Sequence, residues 1–125
     1  MTSMAIISDI HSNLSALRAV LSDIHNQGIK LIFCLGDLVG YYTEPIPVIH
    51  LTIAKCKVVI KGNQDNVAAL GHVPEHYRTY SQEPLDLANQ LLTTRERRVL
   101  HDLPIMHTGS YDNKKIMLHD FRYQF

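Results

Sequence analysis

The chain has 125 residues and a mass of 14.2 kDa, one domain's worth, which excludes two catalytic domains and most large α/β barrels. Hydrophobic residues make up 46% of it, which excludes a disordered tail. Twelve basic against twelve acidic side chains give a formal net charge of zero, where a dedicated nucleic-acid surface would carry a basic excess.

Met4 to Ser8 reads as a buried strand. Ser12 is a candidate cap for a helix continuing to Gln27, with Leu14, Leu17, Val20, Leu21 and Ile24 on one face and Gly28 as its stop. Lys30 to Leu35 is a second strand and Gly36 to Glu44 a loop. Pro45 and Pro47 suit a helix start, with the helix running to about Ala54. Lys57 to Lys61 is a third strand, β-branched at its centre. A short helix near Asn66 to Leu70, a polar loop through Val73-Pro74-Glu75 and a helix from Pro84 to Leu92 follow. Thr93 and Glu96 have capping-box spacing before a helix from Thr94 to His101. Ile105 to Thr108 and Lys115 to Leu118 read as a hairpin, with Gly109, Asp112 and Asn113 supplying its turn. Strand, helix, strand, helix, strand implies right-handed crossovers and a parallel βαβαβ sheet.

Each strand of the first half ends in a residue that can bind a metal: Asp9 and His11 after the first, Gly36-Asp37 after the second, Gly62-Asn63 after the third. The last strand is followed by His119. In a parallel sheet the carboxyl ends of the strands share one edge, and ligands bind there. Asp9, His11, Asp37 and Asn63 are therefore expected to converge. Two carboxylates, an amide and one or two imidazoles suit Mn, Fe, Zn, Co or Ni.

Asp9-Ile10-His11, Gly36-Asp37-Leu38-Val39-Gly40 and Gly62-Asn63-Gln64-Asp65 resemble the Asp-x-His, Gly-Asp-x-x-Gly and Gly-Asn-His-Asp motifs of calcineurin-like metallophosphoesterases. Ile116-Met117-Leu118-His119 resembles the later strand of that family that ends in a metal-binding His. The resemblance implies an α/β fold, an αββα sandwich, and hydrolysis of a phosphate mono- or diester by a hydroxide held between two divalent transition ions, Mn first among them. Asp9 and His11 are then ligands of one ion, Asp37 the bridge, and Asn63 and His119 ligands of the other, with Asn63 also close to the phosphate. The implied substrate is a small phosphate ester or nucleotide-like molecule.

The chain departs from the family pattern in three places. Gln64 stands where the family has the His thought to protonate the leaving oxygen, and an amide is not an acid near neutral pH. Asp120 follows His119 where Gly is usual. The closing Gly-His-x-His motif does not occur before Phe125, so one domain over residues 1–125 with an incomplete second sheet is expected. An incomplete sheet leaves strand edge uncovered, and a homo-oligomer is expected from it. The rival function is a non-catalytic scaffold that binds partners, as the retromer subunit of this fold does.

The remaining polar residues are read as structural. His25, His50 and His101 fall on helices, and His72, His76 and His107 in or near loops. Arg95, Arg97 and Arg98 read as a solvated helix face, and Tyr41 and Tyr42 as loop packing. Cys34 and Cys56 form no Cys-x-x-Cys pair, so reduced thiols in a cytoplasmic protein are expected. No apolar run nears the ~20 residues of a membrane helix, and Met1-Thr2-Ser3-Met4 does not resemble a signal peptide.

Overall fold

In the computed structural model, residues 3–75 and 82–120 are described here. His76 lies outside them. Three strands, β1 (Met4–Ile7), β2 (Leu31–Cys34) and β3 (Val58–Val59), form a parallel sheet in that order. Met4 pairs with Leu31 and Ile7 with Cys34; Phe33 and Cys34 pair with Val58 and Val59. The third strand is shorter than Lys57 to Lys61, but its backbone bonds continue on both sides, from Lys57 N–H to Ile32 and from Ile60 N–H to Cys34.

Helix α1 (Leu14–Asn26) joins β1 to β2, and α2 (Pro45–Lys55) joins β2 to β3. The cap of α1 is Asn13 rather than Ser12: the Asn13 side chain accepts from Ala16 N–H at 3.1 Å. Ser12 instead adopts φ +61°, too early for a cap, and spends its backbone N–H on Leu38 O. Helix α3 (Asn63–Leu70) begins three residues before the expected Asn66, because Gly62 and Asp65 make its first turn. Helices α4 (Gln82–Leu91) and α5 (Thr94–Asp102) follow.

Side chains alternate across the parallel sheet, as the strand pleat dictates. Cys34 and Val59 face a core shared with Leu14 and Leu17 of α1, Val48 and Ile49 of α2, and Ala88 and Leu100 of the later helices with Leu92 between them. Phe33 and Ile60 face the other way and pack against Leu118. Leu118 belongs to an antiparallel hairpin, β4 (Met106–Tyr111) and β5 (Lys114–His119). The Tyr111 ring meets Phe33 edge-on at 4.9 Å, so the hairpin lies on the second face of the parallel sheet. The turn is Asp112-Asn113, both at positive φ, as a two-residue hairpin turn requires. Gly109 sits within β4 opposite Ile116, outside the turn expected for it.

Three polar residues tie the later helices down. Arg97 is not solvated: it donates to Ala68 O at 2.9 Å and Asn89 Oδ1 at 3.0 Å, joining α3, α4 and α5. Lys61, nearly buried, donates to His101 O at 2.6 Å, placing a cation on the carboxyl end of α5. Glu96 closes the expected capping box, accepting from Thr93 N–H at 3.1 Å and from the Thr93 hydroxyl. It also meets His50 Nε2 of α2 at 3.1 Å.

The hydroxyl of Thr93, with the His50 ring and the backbone N–H groups, holds the Glu96 carboxyl below its usual pKa. A depressed carboxyl stabilises the fold above the ordinary Glu range, and that stabilisation is lost as pH falls through the folded value. Glu96→Gln is therefore expected to cost about 1 kcal/mol at pH 7. The gap to the unchanged protein should close on acidification below pH 4. Thermal unfolding followed by circular dichroism checks this; a gap constant from pH 7 to pH 3 would show that the charge plays no part.

Candidate metal centre

The loops that leave β1 and β2 are laced together by backbone bonds. Leu35 N–H donates to Ile7 O, Asp9 N–H to Gly36 O at 3.0 Å, His11 N–H to Asp37 O at 2.9 Å, and Ser12 N–H to Leu38 O at 2.7 Å. This register cannot be met with ordinary strand or helix dihedrals. Asp9, His11, Ser12, Asp37 and Tyr41 all take positive φ, between +52° and +61°. Non-glycine residues rarely adopt that region, and clusters of them mark functional sites.

The effect is to bring Asp9, His11 and Asp37 together: one donor atom from each lies within 4.8 Å of the other two. Asp9 is exposed, His11 half-buried and Asp37 buried. His11 Nδ1 lies 3.0 Å from Val39 O. A carbonyl can only accept, so the proton is on Nδ1. Nε2 then points toward Asp9 Oδ1, 3.3 Å away. A lone pair facing a carboxylate at that distance calls for a proton or a cation between them. The donor set and this orientation fit a divalent ion, with Val39 O fixing the tautomer as a backbone carbonyl behind a ligand does.

Asp37 is joined to the third strand end. Its Oδ1 accepts from Gln64 N–H at 3.1 Å. Asn63, half-buried, is the first residue of α3 and directly precedes that contact. Gln64 is 3% exposed, and its Oε1 has no hydrogen-bond partner among the described residues. The Gln64 amide lies against Gly40, where a Cβ would overlap it. His119 ends β5 on the hairpin; it is not one of the three residues whose donor atoms converge. Of the other histidines, His107 lies within β4 and bonds Tyr111 Oη at 2.8 Å, His101 pairs with Asp102, and His72 is exposed. The Tyr41 ring stands edge-on to His11 at 4.7 Å.

Sequence reasoning gave Asp65 no role, yet it holds the centre together. Its carboxylate accepts backbone N–H groups of Asp37 and Leu38 at 2.8 Å, Gly62 at 2.9 Å and Val39 at 3.4 Å. Complete burial, then the Asp37 carboxylate, push its pKa up to about 7, against the pull of these donors. The signal available in the sequence was Asp three residues after a glycine that starts a helix, the acidic half of a capping box.

The family model of the calcineurin-like phosphoesterase superfamily domain matches residues 2–122. The chain belongs to that family. It is 35% identical over 114 residues to the uncharacterized protein MJ0912 of Methanocaldococcus jannaschii, covering 91% of this chain and 47% of the relative. The chain thus spans about half the length of the curated relative it matches. Among solved structures it is similar to a metallophosphoesterase from Sphaerobacter thermophilus, at TM-score 0.72 and 28% identity over 86% of this chain and 43% of that one. The fold is also that of the hypothetical protein PH1004 from Pyrococcus horikoshii OT3, with TM-score 0.69, 23% identity, and 94% and 54% coverage.

Gly36 and Gly62 allow the second and third strand ends to touch. A Cβ on Gly36 would come within 2.8 Å of Ile60 O and 2.9 Å of Gly62 Cα, with φ already at +95°. Gly28 has φ +72° but nothing within 4 Å of its Cβ position. Gly28→Ala should therefore cost only the left-handed backbone term, about 1 kcal/mol. Gly36→Ala adds a clash with rigid backbone and should cost about 3 kcal/mol or more. Urea unfolding of both variants measures the difference; equal costs would mean that the two strand ends do not touch.

Proposed function

We propose that the chain is a metal-dependent phosphoesterase that hydrolyses a phosphate mono- or diester of a small, nucleotide-like molecule at a dinuclear centre, with Mn as the preferred metal. The observation that carries this reading is the convergence of Asp9, His11 and Asp37 within 4.8 Å, with the His11 Nε2 lone pair directed at it. A pair of divalent ions supplies an acidified water and neutralises charge on the phosphoryl oxygens.

The chain's own residues divide the remaining work. Asp9 and His11 would hold one ion, with buried Asp37 shared between it and the second. Asn63 at the start of α3 and His119 at the end of β5 would serve the second, and Asn63 would orient a phosphate oxygen. Gln64, in the position of the family's proton donor, cannot protonate a leaving oxygen at neutral pH. Its buried amide, wedged beside Gly40, packs the wall of the site instead. The free thiols Cys34 and Cys56 suit a reducing compartment, the cytoplasm. No helix among the described residues is long and apolar enough to cross a membrane.

Metal content after loading with Mn and desalting tests the centre. Asp37→Asn should bind less Mn than Asp9→Asn or His11→Gln, because a bridging carboxylate serves both ions. Equal Mn in the unchanged protein and Asp37→Asn would overturn the reading, whatever the activity.

The absence of an acid at Gln64 makes a second prediction. Hydrolysis with Mn should favour nitrophenyl over alkyl esters, since nitrophenolate leaves without a proton. Gln64→His should raise the rate on alkyl esters by ~10²-fold or more and leave nitrophenyl esters nearly unchanged. Equal gains on both would show that residue 64 does not face the leaving group.

A further inference from the structure

A cavity of about 470 Å³ opens at the other edge of the parallel sheet. Asp9 and Asp37 follow the carboxyl ends of β1 and β2, whereas Ile29 and Lys30 of this cavity lead into the amino end of β2. The cavity lies between α1 and α2. Ile24 and Ile32, both buried, form its floor, and Leu21, Ile29 and Leu51 its walls.

Its rim is one-sided in charge. Arg18, His25, Lys30 and Lys55 line it, and no carboxylate does. The whole chain has as many acidic as basic residues, so this is a local excess. Two of the four have another account: His25 and Lys55 sit in the last turns of α1 and α2, where the helix dipole favours a cation. Arg18, in the middle of α1, and Lys30, before β2, have none. Among the described residues none of the four side chains makes a hydrogen bond or ion pair. Basic groups with no acidic partner, set around an apolar floor of ligand-pocket size, define a receptor with two chemistries.

We propose that this cavity binds a small anionic amphiphile, its carboxylate or phosphate head among Arg18, Lys30 and Lys55 and its apolar body, roughly ten carbons long, on Ile24 and Ile32. A neutral apolar ligand leaves the cations unanswered. A bare anion leaves the floor in water, and exposed ion pairs alone hold little. Burial of the body supplies affinity, and the head supplies selectivity. The site is separate from the metal centre and stands whether or not that centre is catalytic.

Calorimetric titration of the full chain, in EDTA and below the critical micelle concentration, tests it. The probes are decylphosphonate, decanoate, decyl maltoside and inorganic phosphate. Both anionic amphiphiles should bind at least tenfold more tightly than the maltoside or inorganic phosphate. The order of the two anionic amphiphiles tells a phosphate head from a carboxylate. Arg18→Glu with Lys30→Glu, both on exposed positions, should weaken the two anionic amphiphiles tenfold or more and leave the maltoside unchanged. Leu51→Trp, which fills the cavity, should weaken all three decyl ligands. The proposal is overturned if the charge reversal has no effect, if the maltoside matches decanoate, or if inorganic phosphate matches decylphosphonate. Should Leu51→Trp fail to fold, the charge reversal decides.

Discussion

The Asp65 carboxylate, wholly buried, accepts backbone N–H groups from Gly62, Asp37, Leu38 and Val39. Those four residues belong to two loops that chain connectivity keeps 23 positions apart, from Val39 to Gly62. Each donor would otherwise be a buried amide without a partner, and such groups destabilise a fold by about 1–3 kcal/mol apiece. One side chain therefore closes the second strand end onto the third. Without it the Gly36–Gly62 approach would rest on the strand pairing of Cys34 with Val59 and Ile60 and on the Gln64 N–H bond to Asp37 Oδ1.

This arrangement explains why the backbone around the centre is unusual. Ordinary loops minimise left-handed residues, yet the β1–α1 and β2–α2 loops contain five non-glycine ones. Each carries a cost of about 1–2 kcal/mol, which the interloop bonds and the Asp65 donors offset. The product is a main chain that carries Asp9, His11 and Asp37 to one place. His11 illustrates the point. Its position follows from its N–H on Asp37 O, its ring orientation from Nδ1 on Val39 O, and its flank from the Tyr41 edge. If these residues hold an ion as proposed, such ordering of the group would lower the cost of binding it.

The strand ends were legible because chemistry and topology agreed there. Short apolar runs gave β1, β2 and β3, the βαβ alternation gave a parallel sheet, and a parallel sheet places its carboxyl ends along one edge. Asp9, His11 and Asp37 could be grouped from that alone. What escaped depended on which of two neighbouring polar groups the backbone selects. Ser12 and Asn13 are both good caps, and the choice fell to Asn13 because Ser12 N–H is needed by Leu38 O in the adjoining loop. Gly109 looked like a turn residue, but Asp112-Asn113 satisfies the turn by itself, and the glycine leaves room for the Tyr111 and His107 side chains. Arg97 sits among charged neighbours and looked solvated. Its partners are the Ala68 carbonyl and Asn89 on other helices, which no local pattern discloses.

The same geometry sets what a cation does to the fold. Asp9 and Asp37 converge on the His11 imidazole, and the buried Asp65 carboxylate accepts the backbone N–H of Asp37 behind them. Burial, then the Asp37 carboxylate, push the Asp65 carboxyl up to about 7. In the proposed function Asp9, His11 and Asp37 would hold a divalent ion, whose positive charge would offset the local crowding of carboxylates. An ion that binds only the folded arrangement stabilises it by mass action. Under the proposed function metal binding and fold stability would be linked, because the ion would be held at Asp37, whose backbone N–H is secured by Asp65.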